Sequence, residues 1–347
     1  MFRNNNKHLH KPLLGLTMGD INGVGPEILA KALARLASSL SCPVVVFGCA
    51  SILESMRRYA PDMPELNEID SLDALDSDRS GIPVYDAGCA SPALRPGTLD
   101  KEAGRCAAVW IEAATQAALA GQIQGMVTCP VNKEGMLLSG CPYPGHTPML
   151  AALTGTSECH MSLFSEGMRI VHITAHLSMA DAVRAVTKDR ILRAIVTGDT
   201  TLRRLGFDAP RIAVAGLNPH AGEAGAFGRE EIEEIAPAVA AACEQGVQCV
   251  GPFAPDTVFQ RMYNGEFDLV VAMYHDQGHI PFKLIAMDEG VHVTLGLPFI
   301  RTSPDHGTAY DIAGQGLADP ASLTAAVSLA EVIVANRQKL AAVSYKP

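Results

Sequence analysis

The chain has 347 residues, of which 27 are Lys or Arg and 37 are Asp or Glu, so its formal net charge is −10. Apolar residues make up 48% of the sequence and charged residues 18%, with 31 Gly and 22 Pro. This composition is typical of a globular α/β protein and excludes a disordered chain or a coiled coil. The acidic balance argues against nucleic acid and anionic membranes as partners, and no apolar run reaches the roughly 18–20 residues of a membrane span.

The nine cysteines are odd in number and show no C-x-x-C spacing. We therefore expect buried thiols in a reducing cytoplasm and neither a disulfide scaffold nor a zinc knot. Residues 1–12 are polar and basic without an apolar stretch, which predicts a flexible leader and not a secretory signal. A soluble cytoplasmic protein is the expectation.

Short Val- and Ile-rich runs alternate with helical patterns in the first part of the chain. The sequence predicts strands at residues 13–18, 43–48, 82–85 and 125–129, and helices at 26–40, 52–59 and 101–120. Near-continuous apolar strands between helices indicate a sheet that is covered on both faces.

From residue 160 onward the pattern predicts a hairpin at first and then α/β units again. The hairpin strands are 160–165 and 169–174, and later strands fall at 211–217, 268–273 and 291–295. Helices are predicted at 179–185, 189–205, 230–245 and 321–336, with Asp256 as the N-cap of a short helix through Met262. We predict an α/β fold of two lobes with a cleft between them, residues 13–130 plus 304–345 in the first lobe and 131–303 in the second.

The first candidate ligand-binding loop is GDINGVGPE, residues 19–27, between a predicted strand and a helix. Backbone N–H groups at a helix N-terminus can bind an anion, and Pro26 and Glu27 suit the first helical turn. The loop matches neither G-x-G-x-x-G nor a Walker motif. A ligand-binding loop and a tight turn without a ligand both remain open.

Three histidines each follow a predicted strand: His176, His220 and His275. Ligand sites of α/β sheets gather beyond the carboxyl ends of strands, so three neutral imidazoles placed there can converge on one divalent ion. The three are too far apart in sequence to form a local metal motif. The alternative is that each is a hydrogen-bonded structural residue.

A second set of side chains suits an anion. In YPGHT, residues 143–147, His146 and Thr147 precede a predicted helix whose N–H groups can hold a carboxylate or phosphate. Lys283 and Arg301 are cations near the predicted cleft of an acidic protein, which favours an anionic substrate. Solvated surface positions are the alternative for both.

The last loop, DHGTAYDIAGQG at residues 305–316, combines small residues with a histidine and can pack around a flat adenine. Asp311 can accept a hydrogen bond from a ribose hydroxyl and would repel a 2′-phosphate, which favours NAD over NADP. A glycine-rich loop before a helix, without a ligand, is the alternative.

Seven motifs together resemble a known family. TMGDxxGVGPE, NKE, YPGHT, LNPHAGE, PDTVF, YHDQGHIPFK and TLGLPFIRTSxDHGTA occur in this order and look like the 4-hydroxythreonine-4-phosphate dehydrogenase family of vitamin B6 biosynthesis. The resemblance runs from about residue 14 to 330. It implies an isocitrate/isopropylmalate-dehydrogenase-like fold and a homodimer whose active site lies at the subunit interface, with one metal ligand from the partner chain.

The resemblance also implies roles for individual residues. It places a divalent metal (Zn, or Mg, Co or Mn) on His176, His220 and His275. It places the substrate on His146, Thr147, Lys283 and Arg301, with Lys283 counted among the catalytic residues as well. The adenine loop of the related dehydrogenases implies NAD contacts at His306, Gly307, Asp311 and Ile312.

One position departs from the family pattern. Where the family has Asn at a substrate contact, in a GVN sequence, this chain has His292. We therefore count His292 among the substrate-binding residues and expect the polar end of the substrate to differ. YPGHT, YHDQGHIP and INGVGPE look closer to a second branch of the family. Members of that branch oxidise threonate or erythronate 4-phosphate, and other relatives oxidise aromatic cis-dihydrodiol carboxylates.

The expected chemistry is metal-assisted oxidation of an alcohol. The metal would lower the pKa of the hydroxyl, hydride would pass to a nicotinamide, and a β-keto acid product would lose CO2. We place Asp256 and Asp276 near the metal as orienting groups or proton acceptors. A metabolite-binding module without catalysis and a metal-dependent hydrolase are the alternatives from other classes.

Overall fold

The computed structural model describes residues 12–74, 81–89 and 93–343, with side chains as far as residue 336. Apart from Pro12, the expected leader at residues 1–12 lies outside this range, as do residues 344 and 345 of the first predicted lobe. In the described part, no helix combines the length and the apolarity that crossing a membrane requires.

Twelve strands in the described residues form one sheet. They are β1 (Leu14–Thr17), β2 (Val44–Phe47), β3 (Leu66–Ile69), β4 (Ile82–Tyr85), β5 (Gly125–Thr128), β6 (His160–Phe164), β7 (Arg169–His172), β8 (Ile212–Ala215), β9 (Cys249–Phe253), β10 (Leu269–Ala272), β11 (Val291–Leu295) and β12 (Ile300–Pro304). Their order across the sheet is β3-β4-β2-β1-β5-β12-β11-β6-β7-β10-β8-β9.

The two ends of the sheet are parallel and its middle is antiparallel. The six strands β3-β4-β2-β1-β5-β12 at one end pair in parallel. The four strands β7-β10-β8-β9 at the other end do so as well. Between them β12, β11, β6 and β7 pair antiparallel, in the registers Thr294↔Arg301 and Leu163↔Ile170 for example. The antiparallel centre therefore joins two α/β halves into one continuous sheet.

Eleven α-helices connect the strands of the described chain. They are α1 (Gly25–Leu36), α2 (Ala50–Ser55), α3 (Lys101–Leu119), α4 (Lys133–Leu138), α5 (His146–Thr154), α6 (Met179–Ala185), α7 (Lys188–Arg204), α8 (Ala236–Glu244), α9 (Val258–Tyr263), α10 (His275–Ala286) and α11 (Ala321–Val343). Local signals fix several starts. The Asp100 side chain accepts from Glu102 N and begins α3, Asn132 caps α4 in the same way, and Pro26 occupies the first turn of α1.

Apolar strands fill the core because both faces of the sheet are covered by helices. All four residues of β1, β2, β5, β8 and β10 are buried. Trp110 on α3 is fully buried, and its Nε1–H donates to the backbone oxygen of Asp86 over 2.9 Å. Each such large apolar side chain contributes about 1.5–3 kcal/mol of transfer free energy.

The α/β class and the hairpin around Glu166-Gly167 are confirmed, since β6 and β7 pair antiparallel. Strands β3, β9 and β12 and helices α4 and α10 were not predicted, and the predicted helix 230–245 begins as a π-helical segment at Glu231–Ile235 before α8. The N-cap assignment of Asp256 is wrong. Thr257 and Val258 both donate to Ala254 O in a preceding turn, so α9 begins at Val258 with Thr257 at the N-cap position.

The expectation of unpaired thiols is wrong at one place. Cys89 and Cys106 form a disulfide across a sequence separation of 17, and both side chains are fully buried. Their spacing is no recognisable motif. The pairing arises because the segment after β4 packs on α3, where Cys89 N and Trp110 Nε1 both donate to Asp86 O.

Candidate active site

A cavity of about 680 Å³ opens at the ends of β7, β10 and β12. Seven of the residues predicted for the site line it: His176, His275, Asp276, Lys283, His292, His306 and Gly307. A second cavity of about 180 Å³ shares Lys133, Pro304, His306 and Gly307 with the first and adds His146 and Arg301. Side chains that lie far apart in the sequence thus meet in one region of the molecule.

Five predicted residues do not line these two cavities. Thr147 is half-buried in the first turn of α5, Asp311 is exposed, and Ile312 packs against the core. Asp256 is exposed before α9, and His220 is exposed beyond β8 with its ring centroid 6.5 Å from that of Phe227. Within a single chain, the structure therefore keeps His220 apart from the other two predicted metal ligands.

Two of the three histidines lie close together. The ring centroids of His176 and His275 are 6.0 Å apart, and both side chains face the larger cavity. Burial lowers the pKa of His176, with Lys133 as a secondary cause, so its imidazole is held neutral. Among the described residues, no group of three His, Cys, Asp or Glu side chains forms a metal cluster.

His275 is oriented by its sequence neighbour. Its Nδ1 lies 2.6 Å from the Asp276 carboxylate, so Nδ1–H donates and Nε2 keeps its lone pair for a ligand. A carboxylate partner on the far nitrogen is the usual support of a metal-binding histidine. The donor set of His176 and His275 therefore fits a divalent ion that has coordination positions left for further ligands.

Gln277 connects the strand ends that carry His220 and His275. Its Oε1 accepts from Met273 N over 2.6 Å, and its Nε2–H donates to Gly216 O over 2.8 Å. The side chain is only 8% exposed. Gln277 thus fixes the end of β8 relative to the start of α10.

Arg301 is a buried cation with only neutral hydrogen-bond partners in the described chain. Its guanidinium donates to Thr128 Oγ1 over 2.7 and 3.1 Å, to Thr294 Oγ1 over 3.0 Å and to His292 Nδ1 over 2.8 Å. Desolvation lowers the pKa of Arg301 to about 9. A buried charge of this kind is costly unless an anion compensates it, so this end of the cavity is built for an anion.

Two neutral histidines flank this guanidinium. Burial, followed by the charge of Arg301, holds the pKa of both His146 and His292 well below its ordinary value. Because His292 Nδ1 accepts from Arg301, the proton of its ring is on Nε2. The buried Nε2 of His146 has no hydrogen-bond partner among the described residues, which marks it as a group that awaits a ligand.

Sequence reasoning missed four residues of the site: Thr128, Lys133, His172 and His279. Thr128 anchors Arg301, and Lys133 lines both cavities. His172 and His279 form a buried pair with Nε2 and Nδ1 3.2 Å apart, and the His279 ring stacks on His275 at 3.6 Å. Only the HDQGH sequence, with histidines four apart on a helix, was a local signal for His279.

The glycine-rich loop at residues 19–27 packs against the loop at 305–316. Val24 N donates to Thr308 O over 2.9 Å, and the Tyr310 hydroxyl donates to Asp20 over 2.7 Å. Glu27 accepts from Gly316 N and Ala318 N. These contacts support the interpretation of residues 19–27 as a turn that shapes the 305–316 loop.

Lys283 lies on α10 with its Nζ 3.3 Å from the Asp305 carboxylate, and both residues line the larger cavity. His306, next to Asp305, is exposed, and its Nδ1 lies 2.9 Å from Gly307 O. The cavity thus has a Lys283–Asp305 ion pair at one end and a polar edge formed by the 305–316 loop.

Comparison with known proteins gives a consistent result. The model of the family described as "Pyridoxal phosphate biosynthetic protein PdxA" matches residues 40–330. The chain is 42% identical over 323 residues to a D-threonate 4-phosphate dehydrogenase from Pectobacterium atrosepticum, across 92% of this chain and 98% of the relative.

Solved structures agree with this match. A 4-hydroxythreonine-4-phosphate dehydrogenase from Klebsiella pneumoniae superposes with a TM-score of 0.83 at 46% identity, over 93% of this chain and 99% of that one. A terephthalate 1,2-cis-dihydrodiol dehydrogenase from Burkholderia xenovorans LB400 gives a TM-score of 0.68 at 33% identity, over 92% and 98%.

Proposed function

The chain belongs to the PdxA family of pyridoxal phosphate biosynthetic proteins, and we propose from this that it is a dehydrogenase of small phosphorylated hydroxy acids. Its substrate is 4-hydroxythreonine 4-phosphate or a threonate or erythronate 4-phosphate, oxidised at a secondary alcohol. Relatives named for D-threonate 4-phosphate and for 4-hydroxythreonine 4-phosphate match nearly the whole chain.

The observation that carries the proposal is the buried anion site. Arg301 presents a guanidinium without an acidic partner in the described chain, and His146 presents an unpaired Nε2 beside it. A phosphate or carboxylate oxygen satisfies both groups, whereas a neutral substrate leaves them uncompensated. His292, with its proton on Nε2, offers a further donor at the wall of the larger cavity.

The donor set supports a divalent metal ion, with zinc as the first candidate and Mg, Co or Mn as the others. His176 and His275 would hold it in one chain, and His220 would come from a second copy. Bound there, the ion would act as a Lewis acid on the substrate hydroxyl. In the neutral imidazole of His275, the Asp276 carboxylate fixes the proton on Nδ1, which leaves Nε2 available as a ligand.

Several exposed apolar side chains support a homodimer with the active site at the subunit interface. On α10, which begins at His275, Ile280 is 67% exposed and Leu284 83% exposed, and Met287 directly after the helix is 71% exposed. Exposed apolar surface of this kind is typical of a subunit interface. Ile280 also lines the larger cavity, so a partner that covers α10 lies beside the site.

The loop at residues 305–316 supports NAD as the hydride acceptor, with His306, Gly307, Asp311 and Ile312 as its contacts. Asp311 is exposed and would accept from a ribose hydroxyl, and its charge disfavours a 2′-phosphate. In the reaction, Lys283 donates hydrogen bonds to substrate oxygens, and Asp276 receives the hydroxyl proton. Loss of CO2 follows if the oxidised product is a β-keto acid.

A second candidate substrate is an aromatic cis-dihydrodiol carboxylate, because a relative named for that activity has the same fold over almost the whole chain. Such a substrate carries a carboxylate but no phosphate. It would use Arg301 with a single anionic group.

The test is absorbance at the reduced-nicotinamide band, with metal-replete protein and NAD. The panel comprises 4-hydroxythreonine 4-phosphate, D-threonate 4-phosphate, D-erythronate 4-phosphate and a cis-dihydrodiol carboxylate, with a chelator as control. We expect NADH with at least one phosphorylated acid and its loss with the chelator. NADH only with the dihydrodiol would favour the second candidate, and none with any hydroxy acid would refute the dehydrogenase.

A further inference from the structure

The exposed His220 lies on a backbone segment of unusual geometry. Residues 220–224 have φ values of 53°, 53°, 77°, 43° and 55°, so five consecutive residues adopt the left-handed region. Only the third of them is glycine. Side chains with a Cβ are strained in this region, and such strain persists only where surrounding contacts enforce it.

One buried carboxylate holds the two residues at the start of this segment. Glu231 is 3% exposed, and its Oε1 accepts from Leu217 N over 2.8 Å and from Asn218 N over 2.7 Å. Its Oε2 accepts from Asn218 Nδ2 over 2.9 Å. The backbone oxygen of Asn218 in turn accepts a hydrogen bond from Ala221 N over 3.1 Å, which closes the first bend of the turn.

The turn also fits closely around this carboxylate. A Cβ at Gly222 would lie 2.7 Å from Glu231 Oε2, and a Cβ at Gly216 would lie 3.1 Å from Oε1. The carboxylate therefore fills the space inside the turn that the two glycines leave. A shorter side chain at 231 would leave the backbone N–H groups of Leu217 and Asn218 without their acceptor, whereas Asn218 Nδ2 would still donate to Glu230 Oε2 over 2.7 Å.

The root of the turn is fixed to the other half of the candidate metal site. Gly216 O accepts from Gln277 Nε2, and Gln277 stands two residues after His275. Glu231 and Gln277 therefore both form hydrogen bonds with the backbone directly after β8. The exposed imidazole of His220 follows this hydrogen-bonded backbone.

We infer that Glu231 is a positioning residue that holds the left-handed turn so that His220 reaches a metal ion bound by His176 and His275 of a second copy of the chain. The inference rests on the proposed function for the existence of that ion. The geometry of the turn and its hold by Glu231 are independent of it.

The test compares Glu231→Ala and Glu231→Gln with the wild type, His220→Ala and the control Glu233→Ala, whose carboxylate is exposed and pairs with Arg229. Two measurements are made on the metal-free full chain: hydrogen exchange of residues 217–227, and Co²⁺ affinity from the absorption of the bound ion. A purely structural role of Glu231 would move the unfolding temperature but not the Co²⁺ spectrum of folded protein.

We expect Glu231→Ala to speed exchange across 217–227 and to weaken Co²⁺ binding at least about tenfold, toward the affinity of His220→Ala. Glu231→Gln keeps an acceptor oxygen for the two backbone N–H groups, but its NH₂ group would face Asn218 Nδ2, which is also a donor. Its exchange rate and Co²⁺ affinity should therefore lie between those of Glu231→Ala and the wild type. Glu233→Ala should match the wild type.

Wild-type Co²⁺ affinity in Glu231→Ala would overturn the inference. If that variant does not fold, wild-type affinity in Glu231→Gln would overturn it instead. Failure of the proposed function has a different signature: the wild type would not bind Co²⁺, or His220→Ala would bind it as tightly as the wild type. In that case, unchanged hydrogen exchange in Glu231→Ala would still refute the claim that Glu231 stabilises the left-handed turn.

Discussion

At the scale of single residues, the chemistry depends on a few side chains whose ordinary behaviour is changed by burial. Arg301 is a guanidinium with neutral partners, and His146 and His292 are imidazoles that stay uncharged beside it. Together they create a pocket of positive charge within a chain of net charge −10. A small anion can therefore bind where a macromolecular polyanion would be repelled.

Arg301→Met removes the buried charge and keeps an apolar side chain in its place. We expect the KM for D-threonate 4-phosphate to rise at least about 100-fold, because a charge-assisted hydrogen-bond pair is lost from a desolvated site. Because the free protein loses an uncompensated buried charge, its free energy of unfolding should change little or rise. Steady-state kinetics and urea unfolding check both parts, with the exposed Arg35→Met as control. An unchanged KM would contradict this role.

His292→Asn tests the departure from the family pattern. The imidazole presents Nε2–H because Arg301 donates to its Nδ1. Asn is shorter and can both donate and accept, so we expect the ratio of kcat/KM for 4-hydroxythreonine 4-phosphate over that for D-threonate 4-phosphate to increase. Equal ratios in variant and wild type would show that position 292 does not set specificity.

Residue identities in the site could be predicted where a motif exposes them, as for His275 and Arg301. Their partners could not. Thr128 lies 173 positions from Arg301, and His172 lies 107 from His279, so only the folded chain brings these pairs together. Asp276 could be predicted as a residue near the metal because it directly follows His275 in the sequence.

At the scale of elements, α10 has a double role. Its first turn carries His275, and its exposed side carries Ile280 and Leu284. The helix therefore connects the candidate metal site with the candidate subunit interface.

Leu284→Arg places a charge in the middle of the exposed side of α10. We expect the dimer to dissociate, with at least about a tenfold rise in its dissociation constant, because an unpaired charge in a buried interface is costly. Light scattering after gel filtration measures this. Leu119→Arg is the matched control, since Leu119 is also exposed, at 45%, but ends α3. A wild-type mass for Leu284→Arg would contradict an interface at α10.

Strands of continuous Val and Ile, such as β2 and β10, were predictable because burial on both faces requires that composition. β3 was not, because its residues Leu66–Ile69 (LNEI) are mostly only partly buried. The π-helical segment at Glu231–Ile235 was not predictable either, since it depends on the contact of Glu231 with the His220 turn.

At the scale of the whole molecule, the stability of the fold should depend on pH through its buried histidines. Burial lowers the pKa of His172 to about 3, with the neighbouring His279 as a further cause. The unfolded chain binds a proton at this position below about pH 6.5, whereas the native chain does not until about pH 3. The stabilisation is therefore complete above pH 6.5 and is lost as the pH falls through that window.

His172→Gln should flatten the pH dependence of the free energy of unfolding by up to about 1.4 kcal/mol per pH unit between pH 6 and pH 4. Urea unfolding at several pH values, with chelator present, measures the slope. His306→Gln, at an exposed histidine, should keep the wild-type slope. Parallel curves for His172→Gln and wild type would refute the expectation.

The α/β class followed from composition and pattern, but the order of the twelve strands did not. β12 pairs with β5 in parallel and β11 pairs with β6 in an antiparallel arrangement, so neighbours in the sheet come from distant parts of the chain. Such pairings are decided by packing between elements and leave no periodic trace in the sequence. The division into two lobes stays a prediction, since the sheet runs without a break from β3 to β9.

The central claim, that this chain oxidises a phosphorylated hydroxy acid, is tested most directly by NADH formation with D-threonate 4-phosphate. The measurement uses metal-replete protein, with the dephosphorylated acid as the matched comparison. The account predicts NADH with the phosphorylated acid and a kcat/KM at least about 100-fold lower without the phosphate, because the buried Arg301 then loses its anion. No NADH from this acid, from 4-hydroxythreonine 4-phosphate or from D-erythronate 4-phosphate, or equal rates with and without the phosphate, would contradict it.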